Sequence, residues 1–512
     1  MKKINLNLSI LSFYFFAKSF TGYSIKLKEV IKMAEFTEYS QREESGNNIE
    51  SIIEKKEDCA NYDFFDGMKK IGKEHKHFFL IGSACYFFDM MDMNLFGQVA
   101  ASVQASFNLT LDQMGILNSL SFWGMFFGGI LAGFLSQKFG RKPITLAFMA
   151  IFSLGSLGNA LISNFLFFAF CRFLVGFGIT GMNIVVMVYI AEMMPASSRG
   201  KYQGLMAGIG SLGLPVLAVL SAAIIPRSPE AWRFMFIIGS LGLVLIPVGM
   251  KWMYESPRWL AGCGKTREAE KIVSKITGLK SDLSDYAIRC RSFGQTSAIE
   301  TLKFFGQNKQ LGLTILLMTI AVGGIVGGFF LANWKVNLLH TMGFNLQIIL
   351  LVMMLAMLGS PLGDFISAVV SDKGGRKYPM GIAFIISAVC AIISGVVVGP
   401  KSGTIALIIW GIIQLIMTAS IVAGNTMYWT YLAENLPTRF RSQASGLIMS
   451  TSRVVIAIVT PLVPIIYGAK GMFGGWFNIN CVNAIFFIIP AVAVLAFGPK
   501  SAQMTLEEIE DR

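Results

Sequence analysis

Long apolar stretches broken by short polar turns set the plan of this chain. About twelve runs read as membrane-crossing helices: 77–100, 112–136, 143–163, 165–190, 203–225, 232–253, 311–333, 347–370, 379–398, 403–430, 443–466 and 474–497. A helix needs ~20 apolar residues to cross the hydrocarbon of a bilayer. Barrel strands would be ~10 residues long and would alternate polar with apolar positions, which these runs do not. The pattern predicts an all-α integral membrane protein. Its polar stretches divide it into an N-terminal tail 1–75, a six-helix bundle 76–254, a linker 255–308, a second six-helix bundle 309–498 and a C-terminal tail 499–512. Within the linker, Thr266 to Val273 has helix-forming composition with acidic residues ahead of basic ones.

The two bundles repeat each other. Gly140-Arg141-Lys142 recurs as Gly375-Arg376-Lys377, offset by 235 residues. Tyr189-Ile190-Ala191-Glu192, followed by Pro195, Arg199 and Gly204, recurs as Tyr431-Leu432-Ala433-Glu434, followed by Pro437, Arg441 and Gly446, offset by 242. Matched halves with basic turns at corresponding points are the mark of a duplicated transporter.

Composition agrees. The chain is 54% hydrophobic and 14% charged, with 28 Met and 42 Phe, whereas soluble chains carry roughly 25% charge. The net charge of +13 raises nucleic acid as a partner, but its distribution argues against that. Lys138, Arg141, Lys142, Arg199, Lys201, Lys373, Arg376, Lys377, Arg439 and Arg441 share the turns of one side, and the linker is basic too. The opposite turns hold only Arg227, Arg233, Lys335, Lys401 and Lys470. This asymmetry places both termini in the cytoplasm. The charge therefore reports topology, and the large partner is the lipid bilayer.

Seven scattered cysteines and three histidines give no disulfide framework, no metal site and no cofactor signature. Gly262 to Thr266 ends like a phosphate-binding loop, but the earlier glycine falls at Trp259 and no strand precedes it. Asn108-Leu109-Thr110 is a glycosylation sequon in an external turn. Residues 4–20 resemble a signal peptide without a credible cleavage site. The codons for Lys28-Glu29-Val30 can spell a bacterial ribosome-binding sequence just ahead of Met33, so we expect translation to start at Met33 in a bacterial host. Residues 33–75 then form a cytoplasmic tail.

Charges inside the spans carry the chemistry. Each costs ~3 kcal/mol at a helix centre and needs a partner or a cavity. The first run holds Asp89 and Asp92, three apart and so on one face; the fourth holds Arg172, the eighth Asp364 and the eleventh Arg453. Two neighbouring carboxylates repel when both are ionised, which suits a site that takes up and releases a proton. Arg172 or Arg453 can neutralise them or hold a substrate carboxylate through two parallel bonds. Asp89 with Arg172 can also be read as a structural ion pair. In the tenth run, Asn425 beside Gly424 offers a polar substrate contact.

Four words now converge: Glu255-Ser256-Pro257-Arg258-Trp259-Leu260, Tyr431 to Glu434 with Pro437-Thr438-Arg439, Arg172-Phe173-Leu174 with Gly176 and Gly178, and Thr505 to Ile509. In this order they resemble the major facilitator superfamily over residues 76–510, in the branch of sugar porters and metabolite or aromatic acid proton symporters. The resemblance implies two pseudo-symmetric six-helix bundles that move a small molecule by alternating access. Asp-x-x-Asp in the first run, Arg172, Arg453, and Phe329-Phe330-Leu331 with Trp334 resemble the aromatic acid symporters, although Met90 stands where that group has Gly. This adds Trp334 to the substrate contacts.

The basic turns resemble the cytoplasmic gate of such folds. Gly133 would let helices approach closely, Gly140 allows a tight turn, and Arg141 anchors it. The family's gate aspartate is kept as Asp372, near Arg376, but is Gln137 in the first half, and an amide cannot form the ion pair. Glu192 and Glu434 with Arg199 and Arg441 form the implied charge network, and Asp364 joins the gate. The reading is a monomeric secondary transporter in a bacterial cell membrane, coupling a small organic anion to protons through Asp89 and Asp92. The alternative is a sugar or polyol porter, although the family's paired Gln is absent from 311–333. A membrane sensor would need a larger signalling tail, and an enzyme would need a nucleophile–base pair or metal cluster that the chain does not show.

Overall fold

A computed structural model describes residues 72–195, 199–278, 308–374, 376–399, 402–436, 441–468 and 471–499, together with Phe65 and Leu283. The Met33 start, both tails and the later part of the linker lie outside the described residues. So do the side chains of Arg199, Asp372, Glu434 and Arg441. Every described element is helical.

The first half opens with α1 (Lys73–Phe107) and α2 (Leu111–Phe139). The sequon residues build the turn between them. Asn108 takes a left-handed conformation (φ 51°, ψ 46°) that ends α1, and the Thr110 hydroxyl accepts from Gln113 N while the Gln113 amide returns to Thr110 N. Helix α3 (Arg141–Leu161) follows Gly140, whose φ of 101° suits a residue without a side chain. In α4 (Phe165–Met193) the Asn164 side chain accepts from Leu166 N and Phe167 N. Then come α5 (Arg199–Ser211), α6 (Gly213–Ile224), α7 (Trp232–Gly239) and α8 (Gly242–Trp252). Pairs α5/α6 and α7/α8 each make one span, Tyr202–Arg227 and Trp232–Trp252.

Two short helices, α9 (Pro257–Gly262) and α10 (Thr266–Thr277), begin the linker, and Gly278 stops α10 at φ 75°. The second half comprises α11 (Asn308–Phe330), α12 (Lys335–Thr341), α13 (Leu346–Met357), α14 (Gly359–Gly374), α15 (Lys377–Val397), α16 (Thr404–Glu434), α17 (Arg441–Val459), α18 (Leu462–Gly468) and α19 (Gly471–Phe497). Among the described residues, ten stretches are long and apolar enough to cross a membrane, and α17 with α18, bent by 41°, makes an eleventh. Helix α1 spans 35 residues but carries Asp89 and Asp92, and it fills the place of the remaining predicted run.

Helices pack closely where glycines face backbone. A Cβ on Gly124 of α2 would stand 2.9 Å from Phe177 N of α4, and one on Gly128 would stand 2.8 Å from Phe177 Cα. The same device recurs in the second half, where Gly359 and Gly363 of α14 meet Ala419 of α16. Gly133 does not work this way. Nothing lies within 4 Å of where its Cβ would be, so the expected close approach is made earlier in the helix, by Gly124 and Gly128. Lys335 is a further correction. It lies within the span Leu311–Thr341 rather than in an exposed turn.

Candidate functional site

The halves meet where α1 packs on α12, α2 on α17 and α18, α5 on α14, and α6 on α13. The seam is sealed at the end near the Asn108 turn. There Asn337 Nδ2 donates to Gln104 Oε1 at 2.8 Å, and Ser119 Oγ donates to Ala457 O at 2.6 Å. A Cβ on Gly97 would stand 3.0 Å from Asn333 Cα, and one on Gly115 would stand 3.2 Å from Pro461 Cα. At the basic end, Gly204 and Gly208 of α5 and Gly446 of α17 have nothing within 4 Å of a Cβ position. The seam is tight at one end and loose at the other.

Between these ends lies a polar cluster drawn from both halves. Asp89 of α1, 3% exposed, accepts from Asn183 Nδ2 of α4. It lies within electrostatic reach of Arg453 on α17. The Arg453 guanidinium sits 5.7 Å from the Phe329 ring centroid, and its Nη1 has no acceptor. Asp364 of α14 accepts from Thr426 Oγ1 at 2.9 Å and lies near Ser211 of α5, whose hydroxyl donates to Gly208 O at 2.9 Å. The charges of Asp89, Asp364 and Arg453 all act on Tyr86. Asp364 therefore belongs to the centre of the seam.

Asp92 faces elsewhere. It is fully buried within the first half, where Ser156 Oγ of α3 donates to its Oδ1 at 3.2 Å. Gly239 of α7 makes room for it, since a Cβ there would stand 2.6 Å from that oxygen. Its Oδ2 has no donor. Arg172, 2% exposed, acts electrostatically on Asp92 and lies 4.4 Å over the Phe96 ring, with Nε and Nη1 unpartnered. Among the described residues no carboxylate comes within 4 Å of Arg172 or Arg453. Two expectations change here. Asp89 and Asp92 bond to different partners, Asn183 and Ser156, although the charge of Asp92 still acts on Asp89, and Arg172 answers to Asp92, not to Asp89.

Trp334 is also corrected. It is fully buried in the apolar cluster that includes Phe330, Leu331 and Leu338, which makes it a packing residue. Asn425 ties α16 to α11, its Nδ2 reaching Gly324 O at 3.4 Å.

The basic end holds the gate residues. Arg141 makes a two-pronged bond to Glu192, Nε to Oε2 and Nη2 to Oε1, each at 3.0 Å, and its Nη1 donates to Ser136 O. Glu255, which sequence reasoning quoted only as part of a motif, closes the turn. Its Oε1 accepts from Arg141 N at 2.8 Å, Lys142 N at 3.2 Å and Ser256 N at 2.9 Å, so a carboxylate caps the start of α3. Gln137 is exposed, and its backbone carbonyl, not its amide, takes the Trp259 indole N–H at 2.6 Å. Arg376 stands at the N-cap of α15. Asn183, Ser156 and Tyr86 were also missed. Only Asn183 left a signal, as the one amide in the run 165–190 besides its capping end.

Comparison with known proteins agrees with this architecture. Residues 16–512 match the family described as "Sugar (and other) transporter". The chain is 30% identical to the putative metabolite transport protein YyaJ of Bacillus subtilis, over 72% of this chain and 80% of that one. It is 24% identical to the niacin transporter NiaP of Acinetobacter baylyi, over 86% and 97%. Its fold resembles the crystal structure of a D-xylose-proton symporter with a TM-score of 0.68 at 18% identity, covering 84% of this chain and 99% of that one.

Proposed function

The chain belongs to the sugar (and other) transporter family of the major facilitator superfamily, and from that premise we propose that it carries a small organic anion together with protons. It is a multi-pass membrane transporter, not an enzyme. One observation carries the substrate class: Arg453, a guanidinium held at the seam of the halves with Nη1 unpartnered and an aromatic ring beside it. A buried arginine without a bonded carboxylate is costly, and an incoming carboxylate relieves that cost. NiaP, named for a carboxylic acid, supports this reading.

Coupling follows from competition. Asp89 and a substrate carboxylate both draw on the charge of Arg453, so the anion docks best when Asp89 holds a proton. Asp92, facing Arg172 inside the first half, is the second proton site. The bundles 76–254 and 309–498 rock about the seam. In this reading the basic end is cytoplasmic, along with both termini. The Arg141–Glu192 bond and Glu255 brace the gate there, and the sealed end faces outward. We assign the protein to a bacterial cell membrane, working as a monomer.

The test is a pH-gradient assay in proteoliposomes with a panel of carboxylates and sugars, reading internal pH. Carboxylate-dependent proton entry that disappears in Asp89→Asn and Arg453→Gln is the expected result. Proton-independent sugar flux would sink the proposal in favour of a sugar or polyol porter, the reading that the family label and the xylose symporter's fold support.

A further inference from the structure

A second polar centre lies inside the second half, among α12, α15, α16 and α19. Lys335, at the start of α12, donates from Nζ to Gln414 Oε1 of α16 at 2.6 Å. Gln414 Nε2 donates to Ser394 Oγ of α15 at 2.8 Å, and the Ser394 carbonyl accepts from Trp476 Nε1 of α19 at 3.2 Å. Gln414 is 1% exposed and Ser394 fully buried. Gln414 lies ten residues into α16, roughly 15 Å from its end at 1.5 Å per residue. The part-buried Lys335 therefore turns its ammonium inward to Gln414 and does not extend it to the surface.

This centre is the repeat counterpart of Asp92, Arg172 and Ser156. Gln414 follows Arg172 by 242 residues, the offset that links Tyr189 to Tyr431. Ser156 and Ser394 lie on the third spanning helix of their halves, and Trp232 and Trp476 open the sixth. The first half encloses a cation and an anion together. In the second, among the described residues, no carboxylate comes within 4 Å of Lys335. An ammonium has three donors, and the one acceptor bonded to it is a neutral amide. A charge inside a span needs an opposite charge or its equivalent.

We propose that Lys335, with Gln414 fixing its position, is a binding subsite for a small monovalent anion in the second half. The ligand chemistry is a compact anion that takes the remaining ammonium donors. Chloride and a small carboxylate both meet it. The subsite stands on Lys335 alone and does not require Arg453 to bind substrate.

The experiment is thermal unfolding of the purified full chain at constant ionic strength, replacing gluconate stepwise by chloride or by acetate. Binding to the folded state raises the midpoint and saturates. Wild type is expected to show a saturable rise of a few degrees with one or both anions, which Lys335→Met abolishes and Lys335→Arg retains. A rise with chloride alone identifies an inorganic ligand; a rise with acetate alone identifies a carboxylate. Should Lys335→Met not fold, Gln414→Leu serves, with an expected loss of at least half the rise. No saturable rise with either anion overturns the proposal, as does a rise that Lys335→Met leaves intact or that Arg453→Gln alone removes. The last outcome would transfer the effect to the seam site and leave the transport reading standing.

Discussion

The interiors of the two halves are built alike and charged differently. In the first, Ser156 on α3 and Arg172 on α4 surround Asp92. In the second, Lys335 donates to Gln414 on α16, which donates in turn to Ser394 on α15. Duplication kept the scaffold of small helix-packing residues and a buried serine, while the charges diverged. When Asp92 is ionised it balances the Arg172 guanidinium, and when it takes a proton the guanidinium is left as the single charge of the set. The second set holds one cation against a neutral amide and has no such exchange. Pseudo-symmetry here is a property of packing. The charges are asymmetric, with a carboxylate facing a guanidinium in one half and an ammonium bonded to a neutral amide in the other.

The strongest way to break this comparison is to unbalance the first half. Arg172→Met leaves Asp92 facing no cation in an apolar interior, and is expected to cost ~3–5 kcal/mol of stability and all pH-driven accumulation. Adding Asp92→Leu should recover most of the stability but none of the accumulation, a split readable by thermal unfolding beside the proteoliposome assay. If the double variant still accumulated substrate, Asp92 would have no part in coupling.

Next, the second half can be made to resemble the first. Gln414→Glu gives Lys335 a carboxylate oxygen where the amide oxygen now lies, 2.6 Å from Nζ. We expect the anion-dependent rise in unfolding midpoint to vanish while the midpoint in gluconate increases. An unchanged anion response would show that the ligand is held elsewhere.

Packing gives a smaller contrast within one helix. Gly128→Ala places a methyl group against Phe177 backbone and is expected to cost ~1–3 kcal/mol as an overpacked contact. Gly133→Ala, five residues on, meets open space and should gain up to ~1 kcal/mol from helix propensity. Comparing midpoints of the two variants checks both. The smallest effect is at the gate. Glu192→Gln removes a half-buried, two-pronged ion pair and should cost ~1 kcal/mol or less, with faster labelling of a cysteine placed at Gly204 by a maleimide.

Much of this was legible in the sequence. The runs, their approximate ends and the duplicated words were found because hydropathy along a helix is a one-dimensional property. The Gly140 turn was read correctly, because a basic turn between apolar runs calls for φ freedom that the structure confirms at 101°. Glu255 was visible as a residue but not as a cap, because its partners Arg141 and Lys142 are over a hundred positions away. Trp334 and Lys335 were misread together. Adjacent residues at a break between helices can enter the core or the surface, and only the neighbouring helices decide which.

The sequence by itself determined that this chain crosses the membrane about twelve times, that its halves are copies, and which charges the bilayer would have to tolerate, since each follows from apolar length and charge position along one line. Tertiary structure alone decided whom those charges meet. Residues three apart on a helix differ by about 60° in direction. That angle sends Asp89 to Asn183 and the seam, and Asp92 to Ser156 and the interior of one half. The partner of a buried charge is set by which helix packs at that azimuth and depth, and that is a property of the assembled bundle.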